Sequence, residues 1–275
     1  MIILSDLLDT TPVSAPNPPT ATGLRVTLLD GFQLTGSTGA VPVSGGAERL
    51  LAFTALHHRA VGRLLVAGSL WTNSSEGHAY AALRSTLIRM NDAGRRTLLI
   101  TPSSLELAPG VTVDLHDARA LAHRLLDAGP HAAADLGVEA VATLSSELLP
   151  LWYDEWVLVE AEDWRQLRLH ALEAVVDGLV EARRFGDATA AAGAVVRADP
   201  LRESAHAALI RVHLAEGNQS EAVHAFTRFS RLLRANLGLA PTPGLRSLVE
   251  GRAGPGVGAP GPVLTRPPSR YPGSR

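Results

Sequence analysis

The stretch ALRSTLIRMNDAGRR, residues 82–96, decides how the first half of the chain folds. Its apolar residues recur at helical spacing and extend a few positions upstream. One side of the predicted helix carries the apolar set Tyr80, Leu83, Leu87 and Met90. The opposite side carries His78, Ala81, Ser85 and Arg89, flanked by Arg84 and Ile88. We therefore predict a helix that packs on one side, exposes basic and polar side chains on the other, and ends near Gly94.

The segments on either side of this helix predict a small sheet, two more helices and a hairpin. Residues 24–43, LRVTLLDGFQLTGSTGAVPV, alternate β-prone runs with Asp-Gly and Gly-rich turns, as in an antiparallel sheet. Helical spacing then predicts one helix from Glu48 and a shorter second helix that ends near Trp71. Residues 95–114, RRTLLITPSSLELAPGVTVD, predict a hairpin that Arg95 and Arg96 open. A sheet, three helices and a hairpin in this order predict a winged helix-turn-helix, which is a DNA-binding architecture.

The second half of the chain is predicted to be a helical repeat. Two inter-helix turns, RRFGDA and GNQSEA, end at Ala188 and Ala222, which are 34 residues apart. That distance is the tetratricopeptide period. We predict four segments: a disordered leader over 1–21, a winged-helix domain over 22–112, an all-α tetratricopeptide-like domain over 113–250 and a disordered tail over 251–275. The fold class is thus α+β followed by all-α.

Charge and composition narrow the function. The formal net charge is -2, but residues 22–112 hold 8 Arg against 5 acidic residues, whereas 113–250 hold 13 Arg against 20. This split is compatible with one domain that faces nucleic acid and one that does not. All 25 basic residues are arginine and cysteine is absent, which excludes Lys-dependent phosphate loops, Schiff bases and thiolate sites.

No catalytic motif remains after these exclusions. The ten histidines show no metal-ligand spacing, and the chain contains neither H-E-x-x-H nor G-x-S-x-G. We expect no enzymatic activity, no cofactor and no metal site. No apolar run approaches the ~18–20 residues that span a bilayer, so we expect a cytoplasmic protein without a membrane partner.

Long motifs in both halves resemble the Streptomyces antibiotic regulatory protein family. The segments LLPLWYDEWVLVEAEDWRQLRLHALE (148–173) and ADPLRESAHAALIRVHLAEGNQSEA (198–222) look like its bacterial transcriptional activator domain. LGLAPTPGLRSLV (237–249) resembles the usual end of that domain. Upstream, ERLLAFTALHHRAVGRLLVAGSLW (48–71) and LELAPGVTVDLHDARALAHRLL (105–126) resemble the winged helix and the junction after it. The resemblance covers residues 24–250.

The resemblance implies a transcription regulator, in particular an activator of a biosynthetic gene cluster in secondary metabolism. It implies two partners: double-stranded DNA, bound at direct repeats near promoters, and RNA polymerase. A homodimer is compatible with this function, and the sequence does not decide it. An ATPase domain of the kind that larger relatives add would not fit in the 275 residues.

The candidate DNA-binding residues are His78, Arg84, Ser85, Arg89, Arg95 and Arg96. Arginine can span the O6/N7 edge of guanine and a hydroxyl can bond a base or a phosphate, which suits the outer side of the helix. Arg95 and Arg96 are placed to meet phosphates from the hairpin. Weaker candidates for phosphate contact are Arg49, Arg59 and Arg63.

Two alternatives stay open at this stage. Trp152, Trp156 and Trp164, predicted along one helical side, could form an aromatic cage, although packing between helices is favoured. The competing function is a protein-interaction module whose winged helix has degenerated and no longer binds DNA specifically. That hypothesis rests on Asn91 and Asp92, which replace basic positions of the family, and on the small positive charge of residues 22–112.

Overall fold

The computed structural model describes residues 23–127, 129 and 131–251. The predicted leader and nearly all of the predicted tail lie outside these residues. Contacts between residues divide the chain into two compact units, Met1–Leu172 and Glu173–Arg275. A winged helix-turn-helix followed by a helical domain is present, so the predicted fold class is confirmed.

The first unit contains both sheets. Its elements are β1 (Arg25–Thr27), β2 (Gln33–Gly36), β3 (Gly39–Ala40), α1 (Gly45–Leu56), β4 (Val61–Gly62), α2 (Arg63–Leu70), α3 (Glu76–Arg89), α4 (Asp92–Arg96), β5 (Leu98–Ile100), β6 (Ser104–Leu107), β7 (Thr112–Val113), α5 (Asp114–Leu126) and α6 (Val138–Ser145). Helix α7 (Glu155–Glu181) begins in this unit and ends in the next. The first helix starts three residues before Glu48, the predicted start.

A four-stranded sheet supports α1 from one side. Its strand order is β3-β2-β1-β7, with β1 antiparallel to β2 and parallel to β7. Val26 pairs with Leu34 on one neighbour and with Val113 on the other, and all three side chains are buried. Because successive strand residues point to opposite faces, this row forms the apolar face of the sheet. Helix α1, buried from Leu50 to Leu56, packs against β1.

The second sheet is the wing. Strands β5 and β6 form the predicted hairpin, and β4 adds a third strand in the order β4-β6-β5. Leu105 in β6 is fully buried and pairs with Val61 on one side and Ile100 on the other. Pairing to β4, which directly precedes α2, fixes the wing next to the helix-turn-helix.

The helices α5 and α6 belong to the same compact unit as the winged helix. The carboxylate of Asp114 accepts hydrogen bonds from the backbone N–H groups of Leu28 (2.8 Å), Leu29 (3.1 Å) and Leu115 (2.7 Å). Burial raises the pKa of Asp114, although these three donors act in the opposite direction. The Asp114 side chain therefore ties the end of β1 to the first turn of α5.

The second unit contains the repeat. It comprises the end of α7, then α8 (Phe185–Ala198), α9 (Glu203–Glu216), α10 (Gln219–Leu237) and α11 (Pro243–Glu250). Helices α8 and α10 begin 34 residues apart, at Phe185 and Gln219. Gly217 ends α9 with φ 89° and Gly238 ends α10 with φ 68°, a left-handed conformation that favours glycine.

The apolar seam of this unit lies between α9, α10 and α11. Phe229 and Leu233 are buried in a cluster with residues of α9 and α11, and Phe226, Leu209 and Leu214 pack against that cluster half-buried. Val223 in α10 is 46% exposed and lies outside this cluster. The centre of the seam is Phe229, with no exposed surface, rather than Phe226.

Candidate nucleic-acid interface

The helix-turn-helix consists of α2 and α3, joined by the turn over residues 71–75. Helix α2 buries Val66, Ala67 and Leu70, and α3 buries Ala79 and Leu83 among others. The predicted packing side is confirmed for Leu83, Leu87 and Met90, whereas Tyr80 is half-buried. With this side packed on α1 and α2, the opposite side of α3 faces solvent.

The exposed side of α3 carries most of the predicted DNA-binding residues. His78, Arg84 and Arg89 are exposed, whereas Ser85 is half-buried at the margin. The centre of the exposed side is apolar, with Ala81 exposed and Ile88 exposed to 66%. Ile88, treated in the sequence as a flanking residue, is therefore a candidate contact in its own right. The sequence could have indicated Ile88, because it is an apolar residue that does not fall on the packing side of the helix.

The side chain of His78 is oriented by the residue that precedes α3. The hydroxyl of Ser75, which precedes the first residue of α3, lies 2.7 Å from His78 Nδ1. If the hydroxyl donates this bond, the neutral imidazole carries its proton on Nε2, which is then a donor. The pair places a polar ring at the start of the exposed side.

Arg95 lies elsewhere than predicted. It is in α4, three residues before the hairpin begins at Leu98, and its guanidinium turns back to the end of α3. Nε donates to the Leu87 carbonyl oxygen at 3.1 Å, and Nη2 donates to the same oxygen at 2.9 Å and to the Ile88 oxygen at 3.2 Å. The last carbonyl groups of a helix have no partner within it and carry partial negative charge, so a cation there is favourable. The Arg95 side chain caps α3.

Arg96 also lies in α4 rather than in the hairpin. Its Nε is 3.3 Å from the Asp92 carboxylate, and both side chains are largely exposed. An exposed pair of this kind contributes about 0–1 kcal/mol. The guanidinium of Arg96 can therefore exchange Asp92 for another anion at little cost.

The predicted single helix is in fact two helices, which changes the meaning of Asn91 and Asp92. Helix α3 ends at Arg89 and α4 starts at Asp92, because the Asn91 side chain accepts a hydrogen bond from the Gly94 N–H at 2.9 Å. Its amide nitrogen also donates to the Pro42 carbonyl oxygen at 2.7 Å. Asp92 was expected in the last turn of a helix and stands instead in the first turn of one, where negative charge is favourable.

The wing presents hydroxyl groups at its turn. Thr101 Oγ1 accepts from the backbone N–H groups of Ser104 (2.9 Å) and Ser103 (3.3 Å), which closes the turn and leaves Pro102 and Ser103 exposed. The sequence pattern alone did not indicate Ser103 as a contact. Its hydroxyl is of the type that binds phosphate.

The three weaker arginine candidates differ in how far their side chains are exposed. Arg49 pairs with Asp154 through a hydrogen bond between side chains. Arg63 is half-buried, and its backbone N–H donates to the Ser103 carbonyl oxygen at 2.9 Å. Arg59 is exposed. Of these three, only Arg59 keeps an exposed side chain.

The tryptophans pack, as the sequence favours. Trp156 stands edge-on to Phe53 at 5.2 Å and to Trp152 at 6.0 Å between ring centroids. Trp164 is buried and donates from Nε1 to the Ser146 carbonyl oxygen at 3.0 Å. Trp152 precedes α7, so the three rings do not share one helical side, contrary to the expectation.

The described residues contain neither a candidate metal site nor a helix that could span a membrane. Among them, no group of three or more His, Cys, Asp and Glu side chains could hold a metal ion. None of the helices described is both long and apolar enough to cross a bilayer.

Comparison with solved structures shows the fold. The chain matches the structure titled "Mycobacterium tuberculosis EmbR in complex with low affinity phosphopeptide" with a TM-score of 0.60 and 24% identity. The match covers 83% of this chain and 64% of the EmbR chain, so this chain spans less than two thirds of EmbR's length. Comparison with curated proteins gave no match.

Comparison with protein families identifies the helical part. The model of the Bacterial transcriptional activator domain matches residues 113–251, which is just over half of the 275 residues. This confirms the resemblance carried by the motifs at 148–173 and 198–222. The chain belongs to the bacterial transcriptional activator domain family, a family of transcription regulators and not of enzymes.

Proposed function

We propose that this protein binds specific DNA sequences and regulates transcription, with α3 as the helix that enters the major groove. The observation that carries the proposal is the exposed side of α3, which presents Arg84 and Arg89 from a helix-turn-helix next to a wing. A helix of 14 residues is about 21 Å long, enough to lie in a major groove about 12 Å wide.

The exposed side of α3 suits direct recognition of bases. Arg84 and Arg89 can each donate two hydrogen bonds to the O6/N7 edge of guanine, and His78 and Ser85 can bond a base or a phosphate. Ile88 offers an apolar surface of the kind that contacts the methyl group of thymine. We expect an operator that combines guanines with at least one thymine.

Backbone contacts are proposed for the elements around α3. The geometry favours two contacts. One is Arg96, whose partner among the described residues is Asp92 in an exposed pair, and the other is Ser103 at the turn of the wing. Arg95 contributes through the end of α3 that it caps. This division assigns base recognition to α3 and positioning to α4 and the wing.

We further propose that the protein is an activator of a biosynthetic gene cluster that works in the cytoplasm, binds direct repeats and contacts RNA polymerase, with or without dimerisation. Family membership supports regulation of transcription. A protein partner is supported by a groove of about 660 Å³ between α2 and the start of α7. Leu64 and Leu65 on one wall, and Tyr153 and Val159 on the other, are each about 60–80% exposed.

A second candidate function is an interaction module without specific DNA binding. It is favoured by the uncharged centre of the α3 surface, where Ala81 and Ile88 offer no hydrogen-bond donor. Such a protein would bind its partner in the groove beside α2, and α3 would make no specific contact with DNA.

Chromosomal binding of the full-length protein in its native host tests the proposal. We expect discrete sites, and unlabelled DNA from such a site should compete in a gel-shift titration far better than random duplex of equal length. A typical specific regulator favours its site by about 10³-fold or more. Equal competition by the two DNAs would reject the proposal in favour of the interaction module.

A further inference from the structure

The excess of arginine over acidic residues is larger in residues 228–275 than in the winged-helix segment, residues 22–112. Residues 228–275 contain eight Arg and one acidic residue, whereas residues 113–227 contain nine Arg and nineteen acidic residues. The helical half of the protein is therefore acidic over most of its length and basic at its end. A strongly basic terminal segment is typical of contact with nucleic acid.

The described part of this basic segment forms a cleft. Helices α10 and α11 are its walls, and Phe226 and Pro241 line it together with Ala240. Arg231 and Arg234, three residues apart on α10, and Arg246 on α11 extend along the same cleft. Its volume is about 430 Å³, and it is open to solvent along its length.

Within the part of the chain that the structure describes, the charge of these three arginines is not neutralised by a partner. Among the described residues, the structure gives none of the three guanidinium groups a hydrogen-bond or ion-pair partner, and all three side chains are exposed. Other arginines of the same unit are paired: Arg202 with Glu173 at 2.8 Å and Arg211 with Asp177 at 3.2 Å. The cleft also contains one carboxylate, Glu250, which leaves an excess of two positive charges.

The cleft lacks the groups that would recognise one small ligand. Its hydroxyls are used inside α10, because Thr227 donates to the Val223 carbonyl oxygen and Ser230 donates to that of Phe226, both at 2.8 Å. Arg231 and Arg234 on α10 and Arg246 on α11 line a cleft that is open to solvent. Repeated, unpaired guanidinium groups without neighbouring base-reading groups fit a polyanion with regularly spaced phosphates.

We propose that the cleft of Arg231, Arg234 and Arg246 binds the phosphate backbone of DNA independently of sequence. The proposal rests on the proposed function, since the DNA would be that which α3 reads. It explains how a regulator whose winged-helix segment carries an excess of only three positive charges gains phosphate contacts. The tail beyond residue 251, with four further Arg and no acidic residue, extends the same charge.

The test is the salt dependence of DNA binding by the full chain. In the triple variant Arg231→Ala/Arg234→Ala/Arg246→Ala, we expect the slope of log K against log[salt] between 50 and 200 mM to fall by about 2–3, at about 0.9 per phosphate contact. The ratio of operator to random-DNA affinity should not change. Replacement of the same three residues by Lys should retain the slope, because lysine keeps the charge.

A matched control removes one positive charge from the same unit without touching the cleft. Arg211→Ala breaks the pair with Asp177, and we expect it to leave the slope unchanged. Circular dichroism should be native in every variant, because the side chains concerned are exposed.

The possible outcomes separate this inference from the proposed function. An unchanged slope in the triple variant, with operator preference intact, overturns the inference and leaves the proposed function in place. Loss of slope in a protein that never prefers its operator supports the cleft and rejects the proposed function. Polyglutamate that competes for the protein as well as random duplex at equal charge would make the cleft an acidic-peptide site, and the inference would be wrong.

Discussion

Arg95 Nη2 lies 2.9 Å from the carbonyl oxygen of Leu87, so a side chain of α4 holds the end of the helix that carries Arg89. The end of α3 would otherwise present carbonyl groups without partners. The position of Arg89 at the end of α3 thus depends in part on the Arg95 side chain of the next helix.

Removal of this cap should loosen α3 without removing a phosphate contact. We expect Arg95→Ala to lower the free energy of unfolding by about 1–2 kcal/mol, as for other hydrogen bonds to charged groups that are partly exposed. It should also weaken specific DNA binding more than nonspecific binding. Urea denaturation and gel-shift titrations measure the two effects, with Arg96→Ala as the control that keeps the cap. If Arg95→Ala lowers the salt dependence of DNA binding and leaves the free energy of unfolding unchanged, Arg95 is a phosphate contact and not a cap.

Arg89→Ala should reduce specific affinity and leave the fold intact. Loss of a bidentate contact to guanine costs about 1–3 kcal/mol and relaxes the preference at one base pair. Binding to a library of operator variants identifies that base pair. The role assigned to Arg89 is wrong if affinity for all variants falls equally.

Asn91→Ala should destabilise the junction of α3 and α4. Loss of a helix N-cap costs about 0.5–2 kcal/mol, and here the bond to the Pro42 carbonyl oxygen is lost as well. Replacement of Asn91 and Asp92 by Arg, which the sequence alone would suggest as a gain in DNA affinity, should lower the melting temperature for the same reason. Asp92→Ala, which keeps the cap, is the matched control for thermal denaturation. Equal melting temperatures for the wild type and Asn91→Ala would show that the cap is dispensable.

Phe229→Ala should be the most destabilising single change in the second unit. Its ring has no exposed surface and stacks on His206 at 4.1 Å between centroids. Truncation of a buried phenylalanine leaves a cavity and costs about 3–5 kcal/mol. Phe226→Ala, at a half-buried position, should cost clearly less by chemical denaturation. A reversed order would move the centre of the seam to Phe226.

The stability of the protein should fall as the pH drops below about 6.5, in part because of His206. Burial, helped by the positive charge of Arg228, lowers the pKa of His206 from 6.5, although its bond to the Pro200 carbonyl oxygen opposes this. The unfolded chain then takes up the proton before the folded protein does, so the free energy of unfolding increases with pH in the window below 6.5. His116 in the first unit shifts in the same direction.

His206→Gln should flatten this pH dependence. The slope of unfolding free energy against pH between 5 and 6.5 is the quantity to compare with the wild type. The difference in unfolding free energy between the two proteins at pH 8, where the His206 imidazole of the wild type is neutral, gives the cost of lost packing alone. An identical slope in the two proteins would mean that His206 does not contribute.

Periodicity predicted the parts of the structure that depend on burial. The apolar side of α3, the hairpin of β5 and β6 and the 34-residue spacing of α8 and α10 all follow from repeated patterns. The break between α3 and α4 does not, because Met90 and Gly94 are both buried and continue the helical spacing across it. A single side-chain cap, Asn91, makes the difference.

Side-chain direction accounts for the remaining differences. An arginine near a helix end can face solvent or turn back to the last carbonyl groups, and its position in the sequence is the same in both cases. Arg95 turns back and Arg96 does not. The charge of residues 228–275 is visible in the sequence. Only contacts distinguish Arg211, which is paired, from Arg231, which has no ion-pair partner among the described residues.

The parallel pairing of β7 with β1 bears on how helical domains can be exchanged between related regulators. The matched family segment begins at Val113, inside β7, and the next residue is Asp114, whose carboxylate binds the end of β1. A chimera joined at that boundary would divide β7 between the two proteins and take the anchoring carboxylate of β1 from the donor. Chimeras joined within α7, near Leu172, would inherit the sheet intact.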